Sequence, residues 1–149
     1  MVSETRSVYI DAAPEEVWAV LADVERWPEW AGSMRNLERE DVGEFGLGSR
    51  ARLEITGVPS SIWQVTEFTP GRSFTWESKA RGVASLADHR IDPDGGGTKL
   101  TLRTESSGLM ATIFAPLIRR VARRNLQAEA DGLKQRCESA AAEAESNSG

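Results

Sequence analysis

From Ser33 to Ser106 the side chains of this chain follow a period of two; from about residue 108 they recur every three or four positions. A period of two puts successive side chains on opposite faces of a strand, whereas steps of three and four build one stripe of a helix. A long alternating stretch followed by one amphipathic segment calls for an antiparallel sheet with a helix laid against it. Ala51, Leu53 and Ile55 oppose Arg50, Arg52 and Glu54. Trp63 and Val65 lead the next segment, which Thr69-Pro70-Gly71-Arg72 turns back. Phe74, Trp76 and Ser78 share one face, and after Arg81-Gly82 so do Val83, Ser85, Ala87, His89 and Ile91. The Gly-rich turn over 92–97 then leads into Leu100, Leu102, Thr104 and Ser106. Strands at this spacing, joined by tight turns, form an antiparallel meander with one packed and one wet face.

The flanks complete the pattern. Val8 and Ile10 alternate with Ser7 and Tyr9 and mark a first strand. Pro14, Glu15 and Glu16 open a short helix through Val17, Trp18, Val20 and Leu21, because proline and acidic side chains suit a helix N-terminus. Pro28, within DVERWPEW, ends it. At the other end Met110, Ile113, Phe114, Leu117, Val121, Leu126, Leu133 and Cys137 outline a helix over about 108–138. Pro116 is expected to kink that helix or split off a leading turn. The chain thus reads as one α+β domain over 1–138, with six to seven strands and one or two short helices after the first. Residues 139–149, polar and small, are expected to form a flexible tail.

Composition then removes function classes. A net charge of −5 argues against sequence-independent nucleic-acid binding, which needs many cations on phosphate. No run of 18 apolar residues and no signal-peptide pattern is present, so a cytoplasmic location without stable membrane insertion is expected. Cys137 is the single cysteine and His89 the single histidine, which leaves no disulfide and no ordinary ligand set for zinc or haem. No cofactor or metal is therefore expected. There is no G-x-S-x-G elbow, and the glycines at 95–97 precede no helix that would bind phosphate. Five tryptophans, at 18, 27, 30, 63 and 76, stand against one tyrosine. Indoles suit either a large core or the wall of an apolar pocket.

Four stretches carry a family resemblance: VYIDAAPEEVWAVLADVERWPEW (8–30), GLGSRARLEITG (46–57), WQVTEFTPGRSFTW (63–76) and HRIDPDGGGTKLTLR (89–103). In this order, and followed by an amphipathic helix, they resemble the START-like, SRPBCC superfamily. That group takes in polyketide cyclase/dehydrase, lipid-transport and Bet v 1-like proteins. The resemblance implies a helix-grip fold, a curved antiparallel sheet gripping the C-terminal helix with a chamber between them. Its walls would be the inward positions Leu53, Ile55, Trp63, Phe74, Trp76, Ala87, His89, Leu102 and Thr104. Ile113, Phe114 and Leu117 would form the lid side.

Within that chamber His89 is the best acid–base candidate, since imidazole both gives and takes protons near neutral pH. Without an assured inward carboxylate to orient the ring, it reads first as a polar anchor or hydrogen-bonded wall residue. Glu67 shares the parity of Trp63 and Val65 and is a weaker candidate acid, unless a bulge before the turn flips it outward. Of the WPEW tryptophans, Trp27 is assigned to the pocket mouth and Trp30 to a plug between helix and sheet; Trp18 is assigned to the core. Arg119, Arg120, Arg123 and Arg124 form either a solvated face whose charges pair with Glu and Asp elsewhere on the chain or a contact for anionic lipid or a carboxylated ligand. The expected function is capture of a small lipid-, polyketide- or aromatic-like molecule by a monomer or homodimer. The alternative is a cyclase/dehydratase-type enzyme using His89.

Overall fold

A computed structural model describes residues 1–148. Seven antiparallel strands form one sheet: β1 (Val2–Ile10), β2 (Met34–Arg39), β3 (Arg50–Ile55), β4 (Ser61–Thr69), β5 (Ser73–Ala80), β6 (Val83–Asp94) and β7 (Gly97–Ser107). Their order across the sheet is β1-β7-β6-β5-β4-β3-β2. Every neighbour after the first pair is a sequence neighbour, as a meander requires. β1 lies along β7 with Val2 opposite Ser106 and Ile10 opposite Thr98. Between β1 and β2 run helix α1 (Pro14–Ala22) and a 3₁₀ segment, Val24–Glu29. Helices α2 (Leu109–Ile113) and α3 (Ala115–Ser148) close the chain. This is the α+β helix-grip architecture the sequence implied.

Two irregularities bend the sheet, a register shift between Met34 and Asn36 in β2 and another between Val65 and Glu67 in β4. An extra residue on one strand raises local twist and turns the following side chains over. Glu67 is turned over in this way. Val65 is buried, but Glu67 is exposed and pairs with Thr75, so it stands outside the chamber. That corrects the inward placement drawn from parity alone.

Pro116 falls at the second position of α3, and the chain breaks at Phe114, so α2 is a separate leading turn. Beyond the break Leu126, Ala130, Leu133 and Cys137 form the buried stripe of α3. Gly132 sits within it because the helix passes against the backbone carbonyl of Trp30, where a Cβ would collide with the oxygen. Ion pairs and hydrogen bonds tie the helix to β1 and its flanks. Lys134 Nζ donates to the Tyr9 carbonyl at 2.7 Å, the Asp11 amide donates to Glu138 at 2.8 Å, and Arg136 meets Glu29 at 2.9 Å. The helix ends at Ser148 rather than near 138. Ala140, Ala141, Ala142 and Ala144 explain the extension, since alanine has the highest helix propensity. Of the expected tail, Gly149 lies outside the described residues. No helix among the described residues is long and apolar enough to cross a membrane.

Candidate functional site

The lower half of α3 packs down, while its upper half stands off the sheet. Between that upper half and β3–β7 lies a cavity of about 370 Å³. Its axis follows the elements on both sides. Along β5 the lining runs Trp76, Ser78, Ala80 and then Arg81; along α3 it runs from Glu129 through Asn125 and Val121 to Leu117, with Phe114 at the break just before the helix. His89 is 2% exposed, whereas Phe114 and Leu117 are 49% and 58% exposed. The chamber is therefore closed at the His89 end and opens between α2, the start of α3 and the β5–β6 turn. That turn has two central residues, Arg81 at φ 52° and Gly82 at φ 77°, the paired positive values of a tight hairpin turn. Gly82 leaves room for Met110, which packs where its Cβ would be.

Of the residues assigned to the wall, Leu53, Ile55, Trp63, Trp76, Ala87, His89 and Thr104 line the cavity, and so does Trp27, assigned to the mouth. On the lid side Phe114 and Leu117 do so as well. Three do not. Phe74 and Leu102 are fully buried beyond the closed end, where α1 packs on β6 and β7 and leaves no free space on that part of the sheet. Ile113 is 56% exposed: the break at Phe114 lets α2 bury Ala111 and turn Ile113 to solvent. Trp27 is a wall of the closed end and not a gate at the mouth. It is buried, its indole N–H donates to the Leu21 carbonyl at 2.9 Å, and its ring lies 5.3 Å from Trp76 and 5.2 Å from His89. Trp30 lies against α3 and Trp27 as the plug. Trp18, half-buried, meets Phe68 and Phe74 edge-on. The arginine cluster divides: Arg119 and Arg123 both pair with Glu4 on β1, at 3.4 and 3.1 Å, while Arg120 and Arg124 reach no ion-pair partner among the described residues.

His89 is held on three sides. Phe74 stacks on its ring at 4.3 Å and 14°, and Nδ1 lies 3.3 Å from the Phe74 carbonyl. A carbonyl only accepts, so that contact fixes the Nδ1–H tautomer and leaves Nε2 facing the chamber. There it meets Glu129 Oε1 of α3 at 3.2 Å, with Glu129 itself only 16% exposed. The distance suits an ion pair, but the two are not aligned as a hydrogen bond, and Oε1 has no hydrogen-bond partner. Glu129 is an inward carboxylate that strand alternation alone does not assure, because it comes from α3. Its position was legible, since it falls three residues after Leu126 and four before Leu133, on the apolar stripe itself. Among the described residues no group of three or more His, Cys, Asp or Glu side chains gathers to hold a metal ion.

The family model described as polyketide cyclase / dehydrase and lipid transport matches residues 1–138. Among curated proteins, an uncharacterised protein of Mycobacterium tuberculosis is 30% identical over 102 residues, 64% of this chain and 59% of that one. The chain thus spans about 59% of the length of that relative. Among solved structures, a START superfamily protein from Mycobacterium smegmatis superposes with a TM-score of 0.74 at 18% identity, covering 92% of this chain and 97% of that one. The Zhui aromatase/cyclase from a Streptomyces species gives a TM-score of 0.76 at 18% identity, covering 91% and 93%. At that identity the two likenesses establish the fold, and the match over 1–138 establishes the lineage. The chain belongs to the polyketide cyclase/dehydrase and lipid-transport family.

Proposed function

We propose that this protein captures a small hydrophobic molecule, of lipid, polyketide or aromatic type, in the chamber between its sheet and α3. The observation that carries this reading is the chamber itself: about 370 Å³, walled by Trp27, Trp63, Trp76, Leu53 and Ile55, and open at one end. That volume lies within the roughly 300–1,000 Å³ of small-molecule sites, and predominantly apolar walls with a few polar groups are their usual make-up. Three of the five tryptophans line it, so occupancy has a direct optical readout. Titration with a panel of lipids and aromatic molecules is expected to shift Trp emission saturably. A flat response across the panel would remove the proposal.

A second reading, a cyclase or dehydratase type of enzyme, is favoured by one specific feature, the His89–Glu129 pair at the closed end. One titratable side chain oriented by another is the arrangement general acid–base chemistry uses, and a shaped cavity adds positioning. On this reading His89→Ala abolishes turnover of a conjugated polyketide-type substrate while affinity stays within a few-fold. Equal loss of both would make His89 an anchor.

A further inference from the structure

Four polar atoms in the chamber are shielded from solvent and lack a hydrogen-bond partner: Trp63 Nε1, Ser78 Oγ, Asn125 Oδ1 and Glu129 Oε1. Buried polar groups in folded proteins are nearly always satisfied, so four such side chains around one cavity mark where a ligand's polar groups belong. Three of the four accept hydrogen bonds; Trp63 donates, and Ser78 can do either. They sit on the inner part of the chamber. Asn125 is one helical turn from Glu129 and is held in place by its amide, which donates to the Thr56 carbonyl at 3.3 Å. Toward the mouth Val83, Val121, Ile118 and Leu117 make the lining mostly apolar, with Arg81 at its rim.

Charge points the same way. The chamber's cation, Arg81, is on the turn at the mouth, far along β5 from Trp76. At the closed end His89 Nδ1 is engaged by the Phe74 carbonyl, and Nε2 lies 3.2 Å from the Glu129 carboxyl without a hydrogen bond, so an anion entering there would approach Glu129 as well. An anionic headgroup pushed inward would find the Trp63 N–H and the Ser78 hydroxyl as its donors, but no free cation, and would face the Asn125 carbonyl and the Glu129 carboxyl. A hydroxyl would donate to those same acceptors. Resting on the ligand-capture reading above, we infer that the chamber takes an uncharged, hydroxyl-bearing hydrophobic molecule, hydroxyl end inward, and rejects carboxylate-bearing analogues. A site built to hydrogen-bond a hydroxyl rejects the analogue lacking it, because its own buried groups are then left unpaired.

The test uses one ring system with three substituents. N-phenyl-1-naphthylamine is bound as a fluorescent reporter and displaced by 2-naphthol, naphthalene or 2-naphthoate. The naphthol is expected to displace it at concentrations at least about ten-fold lower than either of the others. Glu129→Met and, separately, Asn125→Leu should shrink the advantage of 2-naphthol over naphthalene while naphthalene itself binds no worse. Displacement by 2-naphthoate at equal or lower concentration, or naphthalene matching the naphthol in wild type, overturns the inference and leaves ligand capture standing. Failure of the reporter to bind at all removes ligand capture, and this inference with it.

Discussion

Replacing Gly132 by alanine sets two effects of known size against each other. In an exposed helix the change is favourable, since alanine exceeds glycine by about 1 kcal/mol in helix propensity. Here the new Cβ would be driven into the carbonyl oxygen and carbon of Trp30, both backbone atoms that cannot swing aside as a flexible side chain would. Relief requires α3 to lift from the 3₁₀ segment at the level of the buried Ala130 and Leu133. Overpacking of a well-filled interior costs about 1–3 kcal/mol, and the collision with backbone puts this case in the upper part of that range. The net expectation is a loss of about 1–2 kcal/mol after the propensity gain. For a domain of this size that lowers Tm by about 2–8 °C. Thermal unfolding followed by far-ultraviolet circular dichroism, with chemical denaturation as a check, measures it. A Tm equal to or above wild type would show that α3 does not press on Trp30, and that the spacing of helix and sheet is set differently.

Two further outcomes follow from titratable groups at the same end of α3. Burial, with Glu16 and Glu138 nearby, raises the Cys137 thiol to about 11. At pH 8 such a group is about one part in a thousand thiolate, so iodoacetamide should modify it only when the protein is unfolded in denaturant; rapid alkylation of the native protein would contradict the packing. Glu138 is held below its ordinary value of 4.5, first by the hydrogen bond from Lys134 and then by that from the Asp11 amide. A carboxyl depressed in the folded state stabilises above its unfolded value, and that stability is lost as pH falls through the folded one. The Tm deficit of Glu138→Gln should therefore be present at neutral pH and close as the pH drops below 4.5, by a small amount because the pair is partly exposed. A deficit that is constant with pH would assign it to packing instead.

Alternation carried the sequence reading a long way, because each strand has one face on the chamber or core and one on solvent. Period puts Leu53, Trp63, Trp76, Ala87, His89 and Thr104 on the inner faces of their strands, the family resemblance makes those faces a chamber wall, and all six line the cavity. Parity tells which face a side chain occupies, not what covers that face. Phe74 and Leu102 lie on the correct side yet are capped by helices, so they are core. Parity also fails across a bulge, which is why Glu67 points to solvent. Glu129 is the larger difference. The apolar stripe of α3 runs through Leu126, Leu133 and Cys137, and hydrophobic periodicity selects those residues without the acid that shares their face. A carboxylate on an otherwise apolar helical face is the signal that could have found it. The depth of the chamber had no counterpart in periodicity, since it depends on how far the upper half of α3 stands from the strands.

The central claim is that a hydrophobic molecule occupies that space, and Ala122 on α3 gives direct access to it. Its side chain lines the chamber, and a tryptophan there would fill much of the roughly 370 Å³. The decisive measurement is the binding stoichiometry of N-phenyl-1-naphthylamine, by fluorescence titration of wild type and of a folded Ala122→Trp. One saturable site per chain in wild type, lost in the variant, is the predicted result. Unchanged binding in the variant would place the probe on the exposed apolar elbow of Leu109, Ile113 and Leu117, and would contradict an internal site.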